Sequence, residues 1–209
     1  MYASRTGTKR NLAALRGAGW RLLVSAAGVW RSEGFPYAID NGAWSAFTKG
    51  RPIDLDRFRR CVTLLGRGAD WIVLPDIVAG GMTSLRLSME WVPELAHIAP
   101  LLLPVQDGMV PDDVRGLVGP GLGIFLGGST DPKRKTGGWK LETMFAWGRL
   151  AKETGAYFHV ARVNSAKRIE ASRLAGADSV DGTSASMYSD TVPELDAARR
   201  LQPFMLERQ

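Results

Sequence analysis

Leu101-Leu102-Leu103-Pro104-Val105-Gln106-Asp107-Gly108 decides the fold. Five apolar residues run without a polar break, then give way at once to an amide, a carboxylate and a glycine. A strand with one wet face alternates apolar and polar residues. An unbroken apolar run fits a strand covered on both faces, as in a parallel sheet. The pattern recurs in both directions along the chain. Runs at 21–25, 36–39, 71–74, 122–126, 156–163 and 179–180 predict six further strands, seven in all. Polar and glycine residues follow five of them directly: Asp40-Asn41-Gly42, Pro75-Asp76, Gln106-Asp107-Gly108, Gly127-Gly128-Ser129 and Asp181-Gly182-Thr183.

Helical patterns fill the gaps. Asp54 is placed to N-cap a helix that buries Leu55, Phe58, Val62 and Leu65 and stops near Gly66. Thr83 is placed to cap another, with Leu85, Met89, Val92 and Ala96 on one face. A third fits residues 139–154 before Gly155, and Ser165 opens a fourth that ends at Gly176. Strand and helix in alternation predict a parallel α/β fold. No linker, low-complexity stretch or charge block divides the chain, so residues 1–209 read as one domain. Chemistry-bearing residues after five strands favour a (β/α) TIM-type barrel, whose site is built from many strand ends, over an open sheet with one switch point. At 209 residues the barrel is compact or trimmed.

Composition narrows the chemistry. The chain is 45% hydrophobic and 23% charged, which is ordinary globular material. One cysteine, Cys61, excludes an intramolecular disulfide and a Cys-rich zinc site, and two histidines, His97 and His159, exclude a three-histidine metal centre. Acid–base work therefore falls to carboxylates. Arg5, Lys9, Arg10, Arg16, Arg21 and Arg31 all precede the first acid, Glu33, and equal the whole net charge of +6. Three readings of this segment stand: a surface for a polyanion such as nucleic acid, a solvated helix face, or an Arg-rich transit peptide. No apolar run reaches the ~20 residues of a membrane span, and no apolar signal segment leads the chain, so the expected location is the cytoplasm.

Asp40, Asp76 and Asp181 each follow an apolar strand. In a parallel barrel all three converge on one mouth, although any one of them could instead cap a helix or make a turn. Paired carboxylates suit glycosyl chemistry, where one stabilises or attacks an oxocarbenium-like centre and the other moves protons. Gln106 offers a donor and an acceptor for a nucleobase edge, and Gly127-Gly128 allows close approach to backbone N–H groups. Lys133, Arg134 and Lys135 form a basic loop near Trp139, read either as a grip on phosphates or as a solvated turn. His159 lies inside an apolar pattern and reads as a satisfied core histidine, His97 as a surface residue, and Cys61 as an inert core thiol.

Over residues 37–184 the order of motifs resembles the tRNA-guanine transglycosylase superfamily, and within it the short phage and bacterial DNA-guanine transglycosylases. The resemblance rests on Ile39-Asp40-Asn41-Gly42-Ala43, Leu74-Pro75-Asp76, Pro104-Val105-Gln106-Asp107-Gly108 and Phe125-Leu126-Gly127-Gly128. Its strongest piece runs from Phe158-His159-Val160 to Ala175-Gly176-Ala177-Asp178-Ser179-Val180-Asp181. It implies Asp181 as the nucleophile at C1′ of a guanine nucleotide and Asp40 as the general acid/base. It also implies Asp76, Gln106, Gly127 and Gly128 as base-binding residues. The implied reaction replaces guanine in DNA with a free 7-deazaguanine such as preQ0, needs no metal or redox cofactor, and takes place in a bacterial or phage-infected cell. The tRNA enzymes carry a Cys-rich zinc subdomain that a chain with one cysteine lacks, which turns the expectation from tRNA towards DNA. Asn41-Gly42 replaces the family's usual serine–glycine pair, and Arg162 stands where the tRNA enzymes have a small residue near the 7-substituent. A tRNA substrate, a nucleic-acid-binding barrel without turnover, and an unrelated barrel glycosidase are the alternatives.

Overall fold

The computed structural model describes residues 1–129 and 138–200. Lys133, Arg134 and Lys135 lie outside the described residues. Eight parallel strands close into a TIM-type barrel: β1 (Tyr2–Ser4), β2 (Arg21–Ser25), β3 (Tyr37–Asp40), β4 (Ile72–Val73), β5 (Leu101–Val105), β6 (Leu122–Leu126), β7 (Phe158–Val160) and β8 (Ser179–Gly182). Each strand pairs with the next, and β8 returns to β1 with Tyr2 opposite Asp181.

The sequence predicted seven strands, and the eighth is β1. Its three residues, Tyr-Ala-Ser, make too short a run to stand out, yet Tyr2 and Ala3 are buried in the closed barrel. The helices are α1 (Lys9–Gly17), α2 (Ala43–Thr48), α3 (Leu55–Leu65), α4 (Gly81–Leu95), α5 (Trp139–Thr154), α6 (Ala166–Leu174), α7 (Ser184–Met187) and α8 (Val192–Arg200). Among the described residues two crossovers carry no α-helix: β2 to β3, and β5 to β6, where a single 3-10 turn at Pro111–Asp113 suffices. These shortened crossovers explain how so short a chain completes eight strands.

The unbroken apolar runs have a clear cause. Neighbouring residues on a strand enter two different cores, because side chains alternate across it. Leu23, Ala38, Val73 and Leu102 point into the lumen with Tyr2 and Trp71, while Leu22, Ile39, Ile72 and Leu103 pack outward under the helices. Helix α3 starts as expected, with Asp54 accepting a hydrogen bond from the Arg57 N–H at 2.8 Å, and it buries Phe58, Cys61 and Val62. Helix α4 corrects the Thr83 cap: it begins at Gly81, with Gly80 as N-cap, three residues earlier than expected. The helix starting after Ser165 ends at Leu174, just short of the expected Gly176.

The end of the barrel where the strands begin is tied by matched polar groups. Arg21 Nε donates to Asp70 Oδ2 at 2.6 Å, Tyr2 Oη donates to the same oxygen at 3.0 Å, and Asp178 accepts from the Phe158 N–H at 2.8 Å. Trp20 Nε1 donates to Asp196 on α8 at 3.0 Å. Four of the six early basic residues are also engaged within the chain: Arg5 with Glu33, Arg10 with Asp190, Arg21 with Asp70, and Arg16 with the Glu33 carbonyl. No described helix is long and apolar enough to cross a membrane.

Candidate active site

The period of two that fills the lumen also aims the site. Asp40 ends β3 two residues after lumen-facing Ala38. Asp181 lies two residues after Ser179 on β8, Gln106 four after Leu102, and Gly127 two after Phe125. All of these positions therefore face the mouth at the strands' C-terminal ends. There a cavity of about 370 Å³ is lined by Asp40, Asp76, Gln106, Gly127, Gly128 and Asp181 together. Asn41, Trp44, Arg162, Asn164 and Arg168 complete much of its wall. Every described residue that the sequence proposed for catalysis or base binding thus meets in one place.

Each carboxylate has a different environment. Asp76 is buried, and both its oxygens accept from amides: Oδ1 from Asn41 Nδ2 at 2.7 Å, and Oδ2 from Gln106 Nε2. Burial pushes its carboxyl up to about 7, although these two hydrogen bonds favour the ionised form. Asp40 keeps some surface at the cavity while its carboxyl is enclosed by protein. Burial raises its pKa above the usual carboxylate range, the Ser25 hydroxyl and the Gly42 N–H oppose that rise, and the charge of Asp181 adds to it. Asp40 is thereby suited to hold a proton for a leaving group. Asp181 is buried, and its Oδ1 accepts from His159 Nε2 at 3.0 Å and from the Arg162 N–H at 3.1 Å.

Arg162 brings a cation among these acids. Its backbone sits at φ 55°, a conformation that costs a non-glycine residue about 1–3 kcal/mol and persists where surrounding structure enforces it. The guanidinium lies 3.9 Å from the centroid of the Trp44 ring and donates to the Gly128 carbonyl. Gly128 cannot be replaced cheaply: it has φ +60°, and a Cβ there would lie 2.4 Å from the Trp139 ring. The Gly127 N–H is spent on the barrel ladder, to Val105 O at 3.1 Å and Phe125 O at 2.9 Å. The expected approach of a ligand to backbone N–H groups near Gly127-Gly128 therefore falls to Gly128, not Gly127.

Sequence reasoning missed several contributors. Asn41 was noted only as a departure from a motif, yet its Nδ2 ties Asp76 to the Leu74 carbonyl, at 2.6 Å from the latter. Asn164 accepts from the Thr183 N–H at 2.7 Å and the Ser184 N–H at 3.1 Å, and so locks the turn after β8 to the turn after β7. The available signal was an asparagine directly beyond a strand end. Lys140 on α5 is fully buried, donates from Nζ to the Ala161 carbonyl at 2.8 Å, and has its amine pushed well below the usual range by burial. His159 is the core histidine that was expected, with no exposed surface, but it also touches Asp181. His97 is exposed as expected, and the buried Cys61 thiol is pushed up to about 12, mainly by burial. Compared with known proteins, the chain matches no family model and no curated sequence.

Proposed function

We propose that this chain is a base-exchange glycosyltransferase that replaces guanine in DNA with a 7-deazaguanine such as preQ0, through a covalent aspartyl–nucleotide intermediate. The observation that carries this reading is the convergence of Asp40, Asp76, Gln106, Gly128 and Asp181 on one cavity. Its volume lies within the roughly 300–1,000 Å³ of small-molecule sites. A base inside duplex DNA must be extruded to reach it, at a cost of a few kcal/mol.

A carboxylate oxygen of Asp181 bonds to C1′ of the guanine nucleotide as the C1′–N9 bond breaks. The electron pair of that bond leaves with the base, which takes a proton from Asp40. The raised pKa of Asp40 keeps that proton available at neutral pH. The incoming 7-deazaguanine enters the vacated space, returns its proton to Asp40, and its ring nitrogen displaces Asp181 from C1′. Asp76 accepts from the N–H donors on the guanine edge, and the Gly128 N–H and Gln106 amide meet its O6. Arg162 and Arg168, both on the cavity wall, supply cations for the phosphates flanking the target.

Nucleoside mass spectrometry tests the reading. Purified protein, labelled preQ0 and either duplex DNA, single-stranded DNA or tRNA are incubated, and the polymer is digested. Label appearing as a deoxynucleoside with wild type, and absent with Asp181→Ala, is the expected result. Label in tRNA alone would replace the substrate. Binding without exchange in any polymer would leave a nucleic-acid-binding barrel, and sugar hydrolysis would point to a glycosidase.

A further inference from the structure

The lumen is apolar for most of its depth, yet one line of polar side chains follows its β7–β8 wall up to Asp181. Tyr157 Oη donates to Ser179 Oγ at 2.8 Å, Ser179 Oγ lies 2.7 Å from His159 Nδ1, and His159 Nε2 lies 3.0 Å from Asp181 Oδ1. The imidazole is clamped between aromatic rings. It stacks on Phe125 at 5.0 Å with an interplanar angle of 11°, and its centroid is 4.8 Å from that of Trp71. An apolar side chain would fill this place without the cost of burying an imidazole, so its polar atoms need a reason.

The hydrogen bonds supply one, because they run in a single direction. Their direction is set at Asp181, whose carboxylate can only accept: a neutral His159 then donates through Nε2–H, its Nδ1 accepts from the Ser179 hydroxyl, and the Ser179 oxygen is left to accept from Tyr157. Burial lowers the His159 pKa despite the adjacent Asp181 carboxylate, which keeps the ring neutral and the tautomer meaningful. Among the described residues, both hydrogen bonds to the Asp181 carboxylate fall on Oδ1, from His159 and from the Arg162 N–H. Oδ2 is the oxygen left to react.

We propose that His159 is a positioning residue for Asp181: it holds Oδ1 through Nε2–H, with its Nδ1 accepting from Ser179, and so presents Oδ2 to C1′ of the nucleotide. A side chain that holds a reacting group in orientation without touching the substrate acts on kcat far more than on binding. Its kinetic consequence rests on the transglycosylase reading, whereas its hydrogen-bond geometry does not.

The test combines the kinetics of His159 and Ser179 variants with nitrogen-15 NMR. His159→Phe keeps an aromatic ring against Phe125 and Trp71 but offers Asp181 nothing. His159→Gln restores an N–H donor and an acceptor at similar separation. In the exchange assay His159→Phe is expected to lower kcat by about 10²-fold with KM for the free base within about threefold, and His159→Gln to recover at least about tenfold of that loss. Full kcat in His159→Phe, or His159→Gln no better than Phe while both fold by circular dichroism, overturns the role. If His159→Phe fails to fold, Ser179→Ala serves in its place, with a smaller loss of kcat expected and an unchanged kcat overturning the role. Nitrogen-15 NMR of the wild type is expected to show the neutral Nε2–H tautomer, with Nε2 shifting in Asp181→Asn. An Nδ1–H tautomer, or a spectrum blind to Asp181→Asn, overturns the role whatever the activity. An Nε2–H tautomer that responds to Asp181→Asn in a protein without exchange activity would refute the transglycosylase reading and leave the His159–Asp181 pairing standing.

Discussion

The two ends of the barrel use the same residue types in opposite ways. Where the strands begin, each aspartate has its complement: Asp70 has Arg21 and Tyr2, Asp178 has the Phe158 N–H, and Asp196 has Trp20, Arg199 and Arg200. Where the strands end, Asp40, Asp76 and Asp181 crowd one cavity with the Arg162 guanidinium close among them. Burial leaves Asp40 and Asp76 with raised pKa values there, and Arg162 holds a left-handed backbone. Matched groups lend stability. Groups kept buried against their preferred protonation state cost stability, and a fold tolerates that cost where chemistry needs it. Substitutions at the mouth should therefore cost activity, and substitutions at the other end should cost stability.

The sharpest division is expected at Asp181. Asp181→Asn keeps an acceptor oxygen for His159 and Arg162, so folding survives, while an amide cannot serve as the nucleophile. Exchange should fall by about 10⁴-fold or more, with the thermal midpoint close to that of the wild type. Trapping the covalent adduct on a denaturing gel checks the step directly: a labelled protein–DNA band with wild type and none with Asp181→Asn. A large loss of thermal stability instead would make Asp181 a structural residue and erase the contrast between the two ends.

Asp40 sharpens the comparison through pH. Asp40→Asn keeps an acceptor for the Gly42 N–H but has no proton to give, and kcat should fall by about 10²–10⁴-fold. Its stability should move the other way. The folded pKa of Asp40 is raised above its unfolded value, so the folded state binds more protons and the wild type loses stability as pH climbs from about 4 through the raised value. Asparagine is spared that loss. The thermal midpoint of Asp40→Asn minus that of wild type should thus be larger at pH 8 than at pH 4. A difference that shrinks between pH 4 and pH 8 would mean that Asp40 is stabilised as the anion, like the aspartates at the other end.

The mouth was more legible in the sequence than the lumen beneath it. Asp40, Asp76, Gln106 and Asp181 each stand at the break between an apolar run and a polar cluster, and a parallel barrel sends all such breaks to one rim. The line of Tyr157, Ser179 and His159 left no such mark, because it is spread over two strands and visible only once β7 and β8 pair His159 with Ser179. Strand β1 escaped notice because three residues cannot display a period. Nothing in the sequence around Lys140 marks it as buried, and it is the packing of α5 over the loop after β7 that encloses it. The early basic surplus read as free charge because its partners, Glu33, Asp70 and Asp190, lie 17 or more positions away and reach it through the fold. Local pattern reports single strands and their ends; pairing across the barrel decides which polar groups find partners.

The smallest effect is expected at the far end, and it completes the contrast. Asp196→Ala strips the buried Trp20 N–H of its acceptor, a loss of about 1–3 kcal/mol, while its pairs with the partly exposed Arg199 and Arg200 add little. Burial works to raise the Asp196 pKa, but hydrogen bonds from Trp20 and Arg199 outweigh it and leave the pKa lowered. A lowered folded pKa means stability that is present above the unfolded carboxylate value and lost as pH falls through the folded one. The deficit of Asp196→Ala in thermal unfolding should accordingly be largest near pH 7 and shrink below about pH 4. Asp196→Asn keeps an acceptor for Trp20 and should lie between the two proteins. Exchange per folded molecule should match wild type in both variants, since Asp196 is not among the residues that line the cavity. A loss of kcat in Asp196→Asn at full folding would show that the two ends are coupled, and the division between a stabilising end and a reactive one would have to be given up.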